Sequence, residues 1–351
     1  MKPTLLLLSG GSLVGENVVD ALGDRRVALR LVATNTQPWA PSLDRVDRVC
    51  LAPPTAADPQ SFKTLLMQLV EEERPALVIP CRDDDVQCLA HWAGELRDLG
   101  AQALVGSSTA AACIVDKWRS AQFSMARGLP FARSAPAADP IAVEALLDEV
   151  GWPLIVKPRA GFASLGVRIL RQRNQLEAVL GHPAMLVQEY LGSRDALVRY
   201  LDELERLGAP LFNSFEEPKY SLQIFIGPAG DIVDHLVTRH SMKQGKSALV
   251  EVWADAQLDA LAWRAAGIFS ETGWRGPLNV QCQRCPDGRL VIYEYSGRFT
   301  GATSARALLG YDEVGLALEQ FAGLPFRRRG EDRVAGRQVW RSPHSWLSPT
   351  L

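Results

Sequence analysis

The first apolar run in the chain, TLLLLS at 4–9, does not alternate with polar residues, which is the pattern of a strand buried on both faces. A glycine turn at Gly10–Gly15 follows and leads into a helix over Glu16–Leu22. Short apolar runs predict further strands at 27–33, 47–52, 76–80 and 102–106, and helical spacing of apolar residues predicts helices at 59–73 and 83–98. Strands alternating with helices predict an open parallel sheet covered on both faces. Ligands of such sheets lie at the carboxyl ends of the strands, here Gly10–Ser12, Thr34–Thr36 and Cys81–Asp84.

The pattern changes beyond residue 112. A helix over Lys117–Arg127, a Pro/Ala-rich connector at 130–140 and a short helix at 141–149 precede strands at 153–157, 167–171 and 185–190, together a small α+β unit. Residues 193–217 are charged and partly helical and read as an insertion. Strand patterns return at 220–226, 231–237, 249–253, 278–283 and 289–295, with a helix at 257–272 and a Pro286-Asp287-Gly288 turn joining the last two strands. A final helix is predicted over 304–322, and residues 327–351 carry no assignable pattern.

The length of 351 residues calls for two or three packed lobes. A formal net charge of −2 excludes a general field for nucleic acid or an anionic membrane. No apolar run is long enough to span a bilayer, and Leu5–Leu8 is too short for a signal-peptide core, so the expected location is the cytoplasm with reduced cysteines. Cys282 and Cys285 form the one CxxC pair. Without a second pair or a histidine partner they read as small residues at a strand end rather than as zinc ligands.

The glycine turn lacks the dinucleotide spacing, and the second strand ends in Thr34-Asn35 rather than an acid. Gly15 is followed by Glu16, so it is not a Walker loop either. It reads as a tight turn whose helix start can receive an anion. A stronger motif is PLIVKPRAGFASLGVRIL at 153–170. A buried strand delivers Lys157, and Gly161, Ala163, Ser164 and Gly166 let backbone N–H groups approach phosphate oxygens while the lysine adds charge. A third motif is LNVQCQRCPDGRLVIYEYSGRFTG at 278–301. On a hairpin Gln281 and Glu294 face each other, and Ser296 shares the face of Glu294 because it lies two residues on. Oxygen ligands on adjacent strands suit magnesium, which takes one or two carboxylates. Arg298 continues on the same side. Arg239, Lys243 and Lys246 in TRHSMKQGK read equally as anchors for a substrate carboxylate or as a solvated loop, and His235 and His240 read as structural or surface groups.

In this order the segments resemble the ATP-grasp superfamily, in particular its carbamoyl-phosphate-synthetase-like branch, up to about residue 325. The resemblance implies α/β and α+β architecture: an N-terminal open parallel sheet (a Rossmann-like pre-ATP-grasp domain, 1–112), a small lobe with a glycine-rich lid (113–192), a large lobe with the metal hairpin (193–326) and a C-terminal tail (327–351). It implies ATP as substrate, held by Lys117, Lys157, Gly161, Ser164, Gly166 and Asn279, with Glu189, Tyr190 and Leu191 of VQEYL facing the adenine. It implies one or two magnesium ions on Gln281, Glu294 and Ser296, with manganese as a substitute, and catalytic roles for Lys157 and Arg298 at the reacting phosphoryl group.

The activity implied is that of a standalone ligase that converts a small carboxylate, an amino acid among the candidates, to an acyl phosphate for attack by an amine. The partners implied are these two small molecules, with no nucleic acid or membrane; a homodimer is common in related proteins. The chain departs from the pattern at three places. Ser296 stands where asparagine is usual, Ala163 where glycine is common, and Lys219 where a ribose-binding acid is expected, a role for which Glu216 or Glu217 is the alternative. Ser296 motivates a competing expectation, a nucleotide-binding homologue with weakened catalysis that acts in regulation. The first sheet motivates another, a dinucleotide oxidoreductase.

Overall fold

A computed structural model describes residues 2–161, 165–208, 218–243, 246–325 and 333–342. Ala163, Ser164, Glu216 and Glu217 lie outside the described residues. Three sheets organise the described residues.

The first is parallel and runs in the order β3-β2-β1-β4-β5, from strands β1 (Thr4–Leu8), β2 (Arg30–Asn35), β3 (Arg48–Leu51), β4 (Leu77–Pro80) and β5 (Gln102–Ala103). Every residue of β1 is buried, as expected of a strand covered on both faces. Helices α1 (Leu13–Leu22), α2 (Pro59–Glu73) and α3 (Asp83–Asp98) cover it. In α2 the residues Phe62, Leu66, Leu69 and Val70 recur at helical spacing and are buried, while Asp58 caps the start by accepting from Ser61 N. The second strand starts later than the sequence predicts. Residues Gly23–Ala28 form a 3-10 turn, and Val27 is exposed because its side chain precedes the sheet. The fifth strand is likewise two residues long, not five.

Helices α4 (Ser108–Val115) and α5 (Lys117–Ala126) lead to an antiparallel sheet in the order β6-β9-β7-β8, from β6 (Ser134–Pro136), β7 (Leu154–Pro158), β8 (Arg168–Leu170) and β9 (Met185–Glu189). Helices α6 (Pro140–Val150) and α7 (Arg173–Glu177) lie between its strands in the chain, and α8 (Arg194–Leu207) follows it. Thus the connector predicted over 130–140 contains an edge strand.

The third sheet is antiparallel in the order β14-β13-β10-β11-β12-β15. Its strands are β10 (Lys219–Ile226), β11 (Ile232–Lys243), β12 (Lys246–Val252), β13 (Gly276–Arg284), β14 (Leu290–Ser296) and β15 (Gln338–Trp340). Helix α9 (Ala256–Glu271) buries Leu258, Leu261, Ala262, Ala265 and Phe269 in the same cluster as Leu222, Ile224 and Val280. The stretch predicted as one final helix is two, α10 (Thr303–Leu308) and α11 (Glu313–Ala322). Gly310 at φ 86° breaks it, a conformation that suits glycine, and Asp312 caps the second segment by accepting from Gly315 N. The tail that carried no pattern supplies β15, which pairs with β12.

The parallel sheet is locked to the third sheet and its helices. Arg25 pairs with Asp312, Ser304 donates to Asn17, and Ser107 N donates to Gly273 O. A Cβ on Gly106 would come within 2.4 Å of Gly273 O, so the two layers meet backbone to backbone there.

Candidate active site

One cavity of about 1030 Å³ runs between the three sheets. That is at the upper limit for a single small ligand and leaves room for a nucleotide beside a second reactant. Its lining falls into two ends.

At one end β7 carries Lys157 across to β14, where its Nζ donates to Tyr293 O at 3.0 Å. Lys157 is only 5% exposed. Burial pushes its ammonium down to about 7, and the nearby Lys117 and Lys219 push the same way against the opposing pull of Glu294. Lys117 opens α5. Its Nζ donates to Gly161 O at 3.1 Å and stands 3.4 Å from Glu294 Oε1. Burial alone would raise the Glu294 carboxyl, but Lys117, Lys157 and Arg298 outweigh it and hold the group below its usual range. A β-bulge produces this crowding. Gln281 faces Glu294 and Cys282 faces Ile292, so Tyr293 is the extra residue and both Tyr293 and Glu294 reach the cavity. Tyr293 donates to Gln281 Oε1, and the ammonium groups of Lys157 and Lys219 each lie 5.8 Å from its ring centre.

The donors here fit magnesium. Glu294 is ionised, Gln281 and Asn279 add neutral oxygens, and among the described residues no cluster of three His, Cys, Asp or Glu side chains suggests a softer metal. Ser296 lies opposite Asn279, is 2% exposed and does not line the cavity. Cys282 and Cys285 are both buried, and burial raises the Cys282 thiol to about 12, which leaves it protonated rather than metal-ready.

The hinge residues Glu189, Tyr190 and Leu191 line the cavity where β9 ends. The Glu189 carboxylate accepts from Arg133 N and stands 3.5 Å from Arg289. Gly161 also lines the cavity, whereas Gly166, at φ 76° with Pro158 against it, lies outside the lining.

At the other end the walls are Ser12, Leu13, Cys81, Arg82 and Asp83 from the parallel sheet, Thr300–Ala302 beyond β14, and His240, Met242, Lys246, Ser247 and Arg341 from the third sheet. The parallel-sheet residues sit at the carboxyl ends of β1 and β4, the pair at which strand order reverses. Ser12 caps α1 by accepting from Gly15 N. Gly15 is required by packing, since a Cβ there would lie 2.1 Å from Gly10 O. Thr34–Thr36 stay outside the lining.

Arg298 bridges the ends. It pairs with Asp83 at 3.1 Å, and its Nε is buried without a partner among the described residues.

Two expectations about this end change. Arg239 pairs with Glu251 and stacks over the Trp253 ring at 4.1 Å, and neither it nor Lys243 lines the cavity. Strand alternation turns Arg239 away and His240 inward. His240, read from sequence as structural or surface, is 6% exposed at the cavity wall, between the hydroxyls of Thr238 and Ser247. Burial, with Arg306, Arg341 and Lys219 nearby, pushes its imidazole down to about 3, so it is neutral. Arg341, in the tail without a readable pattern, donates to Ser247 O. The one signal for it was the short QVW run at 338–340 just before it.

The three sheets and the cavity between them define the two-lobed ATP-grasp fold preceded by a parallel-sheet domain. No family model matches the chain. It is 28% identical over 275 residues to a formate-dependent phosphoribosylglycinamide formyltransferase of Synechococcus sp. (strain RCC307), covering 77% of this chain and 65% of that relative. The chain thus spans about two thirds or less of the length of such relatives. Among solved structures, the biotin carboxylase domain dimer of Hydrogenobacter thermophilus 2-oxoglutarate carboxylase, complexed with MgADP, ADP and bicarbonate, superposes with a TM-score of 0.69 at 16% identity, over 95% of this chain and 73% of that one. The ADP complex of N5-carboxyaminoimidazole synthetase from Staphylococcus aureus gives 0.69 at 12% identity, over 93% and 79%. No helix among the described residues is long and apolar enough to cross a membrane.

Proposed function

We propose that this chain is an ATP- and magnesium-dependent ligase that activates a small carboxylate as an acyl phosphate and joins it to an amine. The observation that carries the reading is the convergence of Lys117, Lys157, Gln281, Glu294 and Arg298 on one cavity that continues into a second cationic end. Relatives named for formate-dependent formyl transfer and neighbours named as a carboxylase and a carboxyaminoimidazole synthetase support the same class of chemistry.

Lys117 and Lys157 hold the phosphate oxygens, and the backbone around Gly161 approaches them. Tyr190 and Leu191 border the base. Glu294, Gln281 and Asn279 hold magnesium, which draws charge from the phosphates when bound. Arg298 faces the phosphoryl group in transfer, and Asp83 fixes its guanidinium. A substrate carboxylate oxygen attacks the γ-phosphorus and ADP leaves. The amine then attacks the acyl carbon, phosphate leaves, and a proton is released. Such transfer needs positioning and charge neutralisation more than a protein nucleophile. Lys246 and Arg341, rather than Arg239 and Lys243, anchor the carboxylate.

The division that goes with this reading is a parallel-sheet domain over 1–112, a small lobe over 113–192, a large lobe over 193–326 and a tail over 327–351, and a cytoplasmic enzyme, alone or as a homodimer, suits this chemistry. The competing reading, a nucleotide-binding homologue with weakened catalysis, draws on Ser296, which is buried off the cavity where a second metal ligand is usual. ADP release measured with pools of carboxylic acids, amino acids and amines separates the two. Stimulation by one acid–amine pair is expected; ATP binding with no pool raising ADP formation favours the weakened homologue.

A further inference from the structure

Behind Asn279 at the nucleotide end lies a buried polar chain that the proposed reaction does not use directly. Glu313, at the start of α11, is fully buried. Its Oε1 accepts from Thr303 Oγ1 and from Arg306 Nη2. Its Oε2 accepts from Gln223 Nε2. Gln223, also fully buried, turns its Oε1 to Asn279, whose Nδ2 donates to it at 2.8 Å and to Ser221 Oγ. Asn279 lines the cavity two residues from Gln281 on β13.

Each orientation forces the next. A carboxylate accepts only, so Gln223 must present its amide N–H to Glu313 and its oxygen to Asn279. Asn279 must then present N–H inward, which leaves its Oδ1 for the cavity. That oxygen takes no hydrogen bond among the described residues.

We propose that Glu313 is a positioning residue for the metal: through Gln223 it holds the Asn279 oxygen, rather than its N–H, toward the divalent cation. The inference rests on the ligase reading for the location of the metal. It connects the site to α11, whose cap Asp312 is paired with Arg25 of the parallel-sheet domain.

The chain of orientations makes an isosteric substitution informative. In Glu313→Gln, Thr303 and Arg306 keep the oxygen of residue 313 where Oε1 now lies, so its new N–H2 faces Gln223. Gln223 then reverses, Asn279 follows, and a donor faces the cation. In Asn279→Asp both outer atoms are oxygens. There Gln223 of the parent relay opposes oxygen with oxygen, and Glu313→Gln relieves the clash by turning the Gln223 N–H2 to the aspartate.

The test is an equilibrium titration of a non-hydrolysable ATP analogue with and without Mg2+, on the full chain and on the single and double variants, with thermal unfolding to confirm folding. In the parent chain Glu313→Gln is expected to raise the Mg2+ concentration needed by about tenfold, the scale of a charge-assisted contact, with metal-free affinity held within about twofold. In the Asn279→Asp background the same change is expected to be neutral or to improve Mg2+ dependence. A loss by the same factor in both backgrounds would mark Glu313 as merely structural and overturn the relay. Mg2+-dependent binding in the parent that Glu313→Gln leaves unaltered overturns the relay alone. Absence of Mg2+-dependent binding in the parent overturns the ligase reading with it.

Discussion

The two ends of the cavity carry comparable positive charge but are built in different ways. The nucleotide end stands on paired strands and one lid hairpin. Lys157, Gln281, Glu294 and Asn279 are fixed by register, and Lys117 by the start of a helix. The acceptor end is assembled from pieces far apart in the chain: Ser12, Asp83, His240, Lys246, Thr300 and Arg341. A site built on two paired strands and their neighbour holds its groups in one geometry for a fixed reactant, while a site assembled from distant segments, loops among them, changes its reactant by changing one segment. Under the proposed function, ATP chemistry therefore belongs to the first end and substrate choice to the second.

The largest test of that division is Glu294→Ala. Removing one preorganised electrostatic group from such a site costs about 10²–10³ in turnover. Initial rates of ADP formation should fall at least that far, and an unchanged kcat would move the metal off β14. Next comes Arg341→Ala. It should raise KM for the acid substrate by about tenfold to a hundredfold, the scale of hydrogen bonds to a charged group, and leave nucleotide affinity unaltered. An equal loss of nucleotide affinity would mean that the ends are not separable.

A smaller effect distinguishes them by pH. Lys157 sits at about 7 in the free protein, and phosphates favour its charged form, so its pKa rises on binding. Binding strength carried by that charge is fully present below the free value and is lost as pH rises through the bound value. Between the two, affinity for the nucleotide falls by up to about tenfold per pH unit with uptake of one proton. Calorimetry in buffers of different ionisation enthalpy would detect the uptake; none above pH 7 would place the phosphates away from Lys157. Smallest is Lys243→Ala, an exposed residue outside the lining, for which kinetics should stay within about twofold, as for most surface changes.

The same division explains what could be read in the sequence. The lid and the hairpin carry local signals: small residues beside a lysine, and an acid after a run of apolar strand residues. Register then supplies the geometry, so Gln281 and Glu294 were legible as a pair. The acceptor end has no such signal, because its residues meet only through tertiary packing. Arg239 reads equally as an anchor or as part of a solvated loop because charge is visible in sequence, whereas the pairing with Glu251 that occupies it is not. His240 looked idle because its burial depends on sheet alternation and on the tail strand folding back beside β12. The break in the last helix at Gly310 was missed because apolar periodicity continued across it. The glycine and the Asp312 cap beyond it were the available clues.

A crystal structure with ADP and magnesium tests the central claim most directly. Phosphate oxygens are expected within hydrogen-bond distance of Lys157 Nζ and Lys117 Nζ, and the metal on Glu294, with Arg341 free to meet a second reactant. A nucleotide bound against Ser12 and the carboxyl ends of the parallel strands, with Lys157 and Glu294 untouched, would contradict it.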